Sequence, residues 1–318
     1  MFNILVSGAS GVVGYGILRC LKSEKCKTIG TTIYNISAAN CFADVVEIVP
    51  KAYEEGYIDR IVEIINKHKI DMMIPGIEAD MISWNANRER LLSTGTFLLL
   101  NRKELIDLCL DKWMFYKTLR EKDICCRIES SIVADYDLFS CPFIIKPRRG
   151  YGSRGVVKIE SYEQFHEFEN RIGGELMMQE YVGDDEEEYT VSAFFDDLSQ
   201  ILGMVAMKRK LSPVGFTEIA ETVDTVQFEE TILELAQLFK PIGPTNFQFR
   251  KHNDKWKLLE INPRISSSTS LKAAFGFNEA EMAVDYYLKH QMIKKPIIRR
   301  GKGIRYTEDF VIYDSDNI

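Results

Sequence analysis

Histidine is scarce in this chain. Of 318 residues only His68, His166, His252 and His290 are histidine, and no two have a spacing that would gather them on one metal or beside a nucleophile. The seven cysteines are odd in number and form no Cys-x-x-Cys pair, which argues against a zinc site and against a disulfide framework. No apolar run approaches the ~20 residues that cross a bilayer. Residues 1–6 read as a short buried strand, with neither the basic segment nor the long apolar core of a leader peptide. Positive charge is not in excess either: 40 Lys and Arg against 47 Asp and Glu leave a net charge of −7. That excludes general nucleic-acid binding, which needs a basic footprint. Low-complexity tracts and internal repeats are absent as well. The expectation is a cytoplasmic protein with reduced cysteines, bound neither to membrane nor to nucleic acid.

What is present is an ordinary globular composition, 46% hydrophobic and 27% charged, in a chain long enough for two or three domains. Over the first hundred residues strands and helices alternate. Residues 2–6, 28–34, 71–75 and 97–100 read as strands, and 13–21 and 58–68 as helices, which predicts an α/β unit with a parallel sheet and right-handed crossovers. Helices follow at 103–109 and 112–122. Beyond them strands outnumber helices: 142–146, 156–159, 176–182, 188–195 and 201–208, then a hairpin, with helices at 162–171, 228–239, 267–275 and 278–290. This portion reads as α+β with many antiparallel neighbours. Residues 211–217 read as a mobile loop, and the last dozen residues as loosely held.

The most informative stretch is Asn246-Phe247-Gln248-Phe249-Arg250, a polar turn, then Leu258-Leu259-Glu260-Ile261-Asn262-Pro263-Arg264. In a strand alternate side chains share a face. Asn246, Gln248 and Arg250 therefore point one way and the phenylalanines the other, and Glu260 and Asn262 share a face on the return strand. One carboxylate and two amide oxygens beside an arginine suit Mg²⁺, which prefers hard oxygen ligands and completes its shell with water and phosphate. An amphipathic surface hairpin accounts for the same pattern. The metal reading makes a demand on register: Asn246 must face Asn262 and Gln248 must face Glu260. That requires an odd-numbered loop centred on Asp254, because a two-residue Asn253-Asp254 turn would slip the pairing.

Upstream, an apolar strand ends in Lys146 and runs into Pro147-Arg148-Arg149-Gly150-Tyr151-Gly152-Ser153-Arg154-Gly155. Glycine and serine amides can wrap phosphate oxygens, and such a loop can close over them. It is no Walker A sequence. A hairpin rich in small residues is the plainer reading, but a lysine at the end of an apolar strand then lacks an anionic partner. Glu180-Tyr181-Val182 forms a strand edge able to read an adenine, and Glu188 is placed to accept from ribose hydroxyls. The glycine turn Ser7-Gly8-Ala9-Ser10-Gly11-Val12-Val13-Gly14 between strand and helix suggests a dinucleotide site. The acid expected about 20 residues on is replaced by Tyr34-Asn35, and no Tyr-x-x-x-Lys pair occurs. A turn that merely closes a Rossmann-like layer is favoured.

Taken in order, these motifs resemble the ATP-grasp superfamily over nearly the whole chain, and within it the carboxylate–amine ligases like carbamoyl-phosphate synthase and D-alanine–D-alanine ligase. The resemblance implies a Rossmann-like pre-ATP-grasp domain over residues 1–102 and an ATP-grasp domain over 103–318. In the latter a lid spans about 113–180 and a mainly antiparallel C-terminal subdomain about 181–318. It assigns Lys112 and Lys146 to the α- and β-phosphates of ATP and Gly150, Gly152, Ser153 and Gly155 to the phosphate loop. It also assigns Glu180, Tyr181 and Val182 to the adenine hinge, Glu188 to the ribose, and Gln248, Glu260 and Asn262 to Mg²⁺, with Mn²⁺ as a substitute. Arg264 would stabilise the transferring group together with Lys146, and Lys208 or Arg209 would touch phosphate or substrate. The implied reaction is ATP-dependent carbon–nitrogen ligation through an acyl phosphate, with a small-molecule carboxylate and amine as substrates and a homodimer as a family-level expectation. Two departures stand out: Gln248 and Asn262 leave Glu260 as the one charged ligand, and Ser267 stands where the carbamoyl-phosphate type often has an arginine. Competing readings are an NAD-dependent nucleotide-sugar epimerase or dehydrogenase, and a non-catalytic ATP-binding switch. Substrate-specific side chains are expected within 77–84, 212–218 and 266–270.

Overall fold

The computed structural model describes residues 1–22, 26–150, 155–183, 187–212 and 215–312. The N-terminal unit alternates as predicted: β1 (Phe2–Val6), α1 (Val12–Leu21), β2 (Cys26–Thr32), α2 (Ala39–Phe42), β3 (Val45–Ile48), α3 (Tyr57–His68), β4 (Met72–Ile74), α4 (Glu78–Ala86), α5 (Arg88–Leu92) and β5 (Phe97–Leu98). The five strands are parallel in the order β3-β2-β1-β4-β5. Such a sheet is buried on both faces. Ile4 and Val6 accordingly enter one core, while Leu5 enters another with Ile61, Met73 and Trp84. Strand β3 was not legible because its four residues include a charge. Glu47 is nonetheless buried, paired with Arg60, Lys67 and His68.

Chain direction along the sheet reverses between β1 and β4, which opens a crevice beyond their carboxyl ends. The glycine turn sits there. A Cβ on Gly14 would lie 2.3 Å from the Gly8 carbonyl oxygen, and one on Gly76 would lie 2.1 Å from that of Ser7. Ser7 Oγ accepts the Gly76 N–H at 3.2 Å. These glycines let the loop after β4 pack directly on the turn after β1.

Two helices, α6 (Lys103–Cys109) and α7 (Lys112–Glu121), lead to a small antiparallel sheet of β6 (Ser130–Ser131), β7 (Phe143–Pro147), β8 (Val157–Ile159) and β9 (Leu176–Glu180), ordered β6-β9-β7-β8. Helix α8 (Tyr162–His166) covers it, and a 3₁₀ turn takes the last residues of the helix expected to reach 171. The sheet has its own core of Phe143, Ile145, Ile159, Phe165, Leu176 and Met178. The apolar side chains of α7 join the C-terminal core instead.

The C-terminal unit holds β10 (Glu188–Phe195), β11 (Ile201–Leu211), β12 (Thr217–Val223), α9 (Val226–Phe239), β13 (Gly243–His252), β14 (Lys255–Asn262), α10 (Thr269–Ala274), α11 (Glu279–Ala283) and β15 (Lys302–Ile304). Its antiparallel sheet is ordered β14-β13-β10-β11-β12-β15. One face packs Val191, Ala193, Phe195, Phe247 and Phe249 beneath Phe228, Ile232 and Leu235 of α9. On the other, Phe194, Val205 and Met207 meet the N-terminal unit. That second face turns polar toward the start of β10, where Glu188, Thr190, Gln248 and Glu260 line up. Of the segment 211–217 read as a mobile loop, Leu211 closes β11 and Thr217 opens β12, and residues 213–214 lie outside the described residues. No helix among the described residues is long and apolar enough to cross a membrane.

Candidate active site

The hairpin of β13 and β14 sets the candidate metal face. Asn246 pairs with Asn262 and Gln248 with Glu260, as the metal reading requires. The route to that register differs from the expected one. His252 pairs with Lys255, so the turn is the two-residue Asn253-Asp254, with both residues at positive φ (48° and 58°) as a primed hairpin turn demands. Taken alone, that turn would slip the ligands. A β-bulge next to Phe249 restores them, because Phe249 pairs with Leu258 while Gln248 pairs with Glu260, which leaves Leu259 as the extra residue. The freed Leu259 carbonyl accepts a short hydrogen bond from the Tyr116 hydroxyl of α7. Asn262 Nδ2 donates to Glu260 Oε1 at 2.8 Å, which ties the two side chains together on one face. Among the described residues no three His, Cys, Asp or Glu side chains cluster as a metal-ligand set. The donor set is one carboxylate and two amides, which fits a hard cation that takes much of its shell from phosphate and water.

Lys146, on β7, faces this set from the lid. It is buried, donates to Gln179 Oε1 at 2.7 Å and to the Tyr116 hydroxyl at 3.3 Å, and lies 4.6 Å from the Tyr116 ring centroid. None of these partners is an anion. Burial first, and the nearby Lys112 charge second, push its pKa down to about 7, with Glu260 opposing them. Lys112 opens α7 and donates to the Gly150 carbonyl at 2.5 Å. Asp111 caps the same helix and holds Arg148 at 2.8 Å, which ties the base of the glycine loop to α7. Gly150 (φ 130°) and Gly155 (φ 73°) adopt backbone conformations that suit glycine. Gly152 and Ser153 lie outside the described residues.

Glu180 ends β9, and Val182 buries its side chain in the C-terminal core, so Glu180, Tyr181 and Val182 form the link between lid and C-terminal sheet. Lys158 lies 4.8 Å from the Tyr181 ring. Glu188 begins β10, but both its oxygens are engaged, one by Arg209 at 2.6 Å and the other by Arg250 at 3.3 Å. A ribose would have to share that carboxylate. Lys208 is a correction. It pairs with Tyr189 across the ladder and binds Glu187 at 2.5 Å, which puts it on the face opposite the site. Strand alternation gives the site face to Arg209, which also donates to Gln248 Oε1 at 2.5 Å.

A residue from the segment 77–84, where substrate-specific side chains are expected, completes the cluster. Glu78 opens α4 at the crevice between β1 and β4, and its Oε2 lies 3.8 Å from Arg264 Nη2. Burial raises its pKa, Arg264 works against that, and Glu260 and Lys112 are close enough to contribute. Arg264 Nε is buried without a partner. The signal for Glu78 was its place in Pro75-Gly76-Ile77-Glu78, directly after a parallel strand at the switch point.

Several comparisons bear on this arrangement. Residues 174–310 match a family model described as ATP-grasp in the biosynthetic pathway with Ter operon, and residues 6–99 match the PylC-like N-terminal domain. The carbamoyl phosphate synthase large chain of Methanothermobacter thermautotrophicus is 24% identical over 310 residues, covering 87% of this chain. This chain spans only 28% of that relative's length. Among solved structures, N5-carboxyaminoimidazole synthetase from Staphylococcus aureus superposes with a TM-score of 0.74 at 15% identity, covering 93% of this chain and 80% of that one. The biotin carboxylase domain of Hydrogenobacter thermophilus 2-oxoglutarate carboxylase, solved with MgADP and bicarbonate, gives 0.73 at 13% identity, covering 94% and 73%. The fold is that of the ATP-grasp ligases.

Proposed function

We propose that this chain, a member of the ATP-grasp superfamily, is an ATP-dependent ligase that joins a small-molecule carboxylate to an amine through an acyl phosphate. The observation that carries the reading is Lys146. It is a buried lysine whose hydrogen-bond partners among the described residues, Gln179 and Tyr116, are neutral, set against the face that presents Gln248, Glu260 and Asn262. A charge in that position calls for an anionic ligand, and a nucleotide's phosphates meet the demand.

In this reading adenine lies along Glu180, Tyr181 and Val182, Lys112 and Lys146 hold the phosphates, and the glycine loop from Gly150 to Gly155 covers them. Gln248, Glu260 and Asn262 would hold Mg²⁺, or Mn²⁺ in its place; when bound, the ion offsets phosphate charge and orients the nucleotide. Arg264 and Arg209 stabilise charge on the transferring phosphoryl group as the substrate carboxylate attacks in line, which needs positioning and electrostatics more than a base. The amine then displaces phosphate from the acyl carbon. Glu78, carboxylate-bearing and part-buried opposite Arg264, is placed to orient that amine at the crevice of the N-terminal sheet. The oxidoreductase alternative loses its ground because the N-terminal glycines are taken up in packing Gly76 on Ser7 and Gly14.

The test is an ADP-release screen of small carboxylates against amines with the full chain and Mg²⁺. ADP formed only when an acid and an amine are both present supports the reading. ADP release indifferent to every pair, alongside tight NAD(H) binding, would refute it.

A further inference from the structure

A guanidinium beyond β15 has no part in the chemistry above. The Arg305 backbone N–H donates to the Glu218 carbonyl on β12 at 2.8 Å. Its Nη2 donates to the Ser267 carbonyl at 2.8 Å, and its guanidinium carbon lies 5.6 Å from the centroid of the Phe216 ring. These contacts fix the group in place, yet Nη1 is buried with no hydrogen-bond acceptor. The charged neighbours do not explain it. The ionisable groups close enough to act on Arg305 are Tyr15 and Arg19, the latter another cation, and burial holds its pKa below that of a free guanidinium. Among the described residues it has no carboxylate partner. On the same turn Ser212 Oγ is buried and also lacks a partner, while its backbone N–H bonds the Phe216 carbonyl at 2.8 Å.

A fixed, part-desolvated guanidinium without a counter-charge is costly unless a ligand brings the anion. Its planar fork matches a carboxylate or phosphate group. The position is informative too. Ser267 lies three residues beyond Arg264, past the end of β14, and its carbonyl accepts from Arg305; Ser212 lies three beyond Arg209, just past the end of β11, and bonds the Phe216 on which Arg305 sits. We propose that Arg305, with Ser212 and Phe216, forms a subsite for an oxyanion carried by the substrate away from its reacting carboxylate, so that the enzyme selects an anionic substrate. The role of that oxyanion as part of a ligase substrate rests on the proposed function, whereas its binding does not.

The experiment uses the full chain with the nucleotide site filled by a non-hydrolysable MgATP analogue. Inorganic phosphate and malonate are titrated separately by calorimetry into wild type, Arg305→Gln and Arg305→Lys. One of the two anions is expected to bind wild type at millimolar concentration or better, to bind Arg305→Gln at least tenfold more weakly, and to bind Arg305→Lys at an intermediate level. The analogue itself should bind all three proteins within about twofold, and this also verifies that the variants are folded. Which anion binds separates a phosphorylated substrate from a polycarboxylate. No binding of either anion to wild type, or equal binding to Arg305→Gln, overturns the proposal. Should the analogue fail to bind wild type, the ligase reading falls, and the same titrations without nucleotide still decide whether Arg305 is an oxyanion site.

Discussion

Lys146 and Glu260 are the residues on which the chemistry turns, and they were legible for different reasons. Lys146 stood out because a lysine closing an apolar strand has no comfortable structural explanation. Glu260 stood out because it alternates with Asn262 on a strand whose other face is plainly apolar. Arg209 was legible only as one of a pair, since choosing between it and Lys208 needs the strand's phase, which β-sheet pairing fixes. The depressed pKa of Lys146 has a measurable consequence. Folding holds its proton less tightly than the unfolded chain does, so between pH 7 and 10.5 the unfolded state carries a proton that the folded state lacks. The lysine's contribution to stability therefore rises with pH across that window, and below it the burial penalty is fully present. Phosphate binding reverses the preference and draws a proton in. Calorimetry of MgADP at pH 7.5 in buffers of differing ionisation enthalpy should register proton uptake of between zero and one, and Lys146→Met should abolish most of that uptake while weakening binding at least tenfold. An affinity that does not change from pH 6.5 to 9 would contradict the assignment. Glu260→Ala should remove ADP formation by at least a hundredfold while leaving the far-UV circular dichroism spectrum unchanged.

At the scale of elements, the β13–β14 hairpin shows why register cannot be read from turn length alone. Asn253-Asp254 has the residue chemistry of a tight primed turn, and it forms one. The bulge at Leu259 then displaces the strand by one residue, and nothing in Leu258-Leu259 marks it, because the pattern of apolar residues tolerates either phase. What holds the bulge is tertiary, the hydroxyl of Tyr116 on the Leu259 carbonyl. Replacing Tyr116 with Phe leaves that carbonyl and Lys146 short of a partner, and should cost about 1–3 kcal/mol in denaturant unfolding. It should also weaken nucleotide binding, which loss of a merely structural bond far from the site would not do. The glycine turn was legible as a turn, and its role follows from the contacts of Gly76. A Cβ there meets the Ser7 carbonyl and Gly14 Cα, both backbone atoms that cannot move aside cheaply. Gly76→Ala should lower stability by on the order of 3 kcal/mol through overpacking, with the denaturation midpoint as the readout; an unchanged midpoint would return the glycines to a ligand-binding role.

The whole molecule is three packed units around one polar seam. Parallel and antiparallel halves were distinguishable in the sequence, because a sheet buried on both faces reads as apolar runs and one buried on mixed faces reads as alternation. Short or exposed strands were not: β3 hides a buried ion-pair cluster behind a charged residue, and β15 has two of its three residues exposed. Which residues cross between units was also hidden. Glu78 and Arg264 are far apart in sequence and meet only because the switch-point crevice faces the C-terminal sheet. A lid whose own core is small should be the part most affected by a ligand that bridges it to the rest. At a hundred times its dissociation constant MgADP should add about 2.7 kcal/mol of stability, and hydrogen exchange should slow most in β7 and β9. Uniform slowing across all three sheets would argue against lid closure.

The most direct test of a magnesium-dependent nucleotide site in this seam is calorimetric titration of ADP into the full chain with and without Mg²⁺. One ADP should bind per chain, Mg²⁺ should tighten it at least tenfold, and Glu260→Ala should remove that gain without removing the nucleotide. Absence of binding in the wild-type protein, or a magnesium effect that survives in Glu260→Ala, would contradict the account.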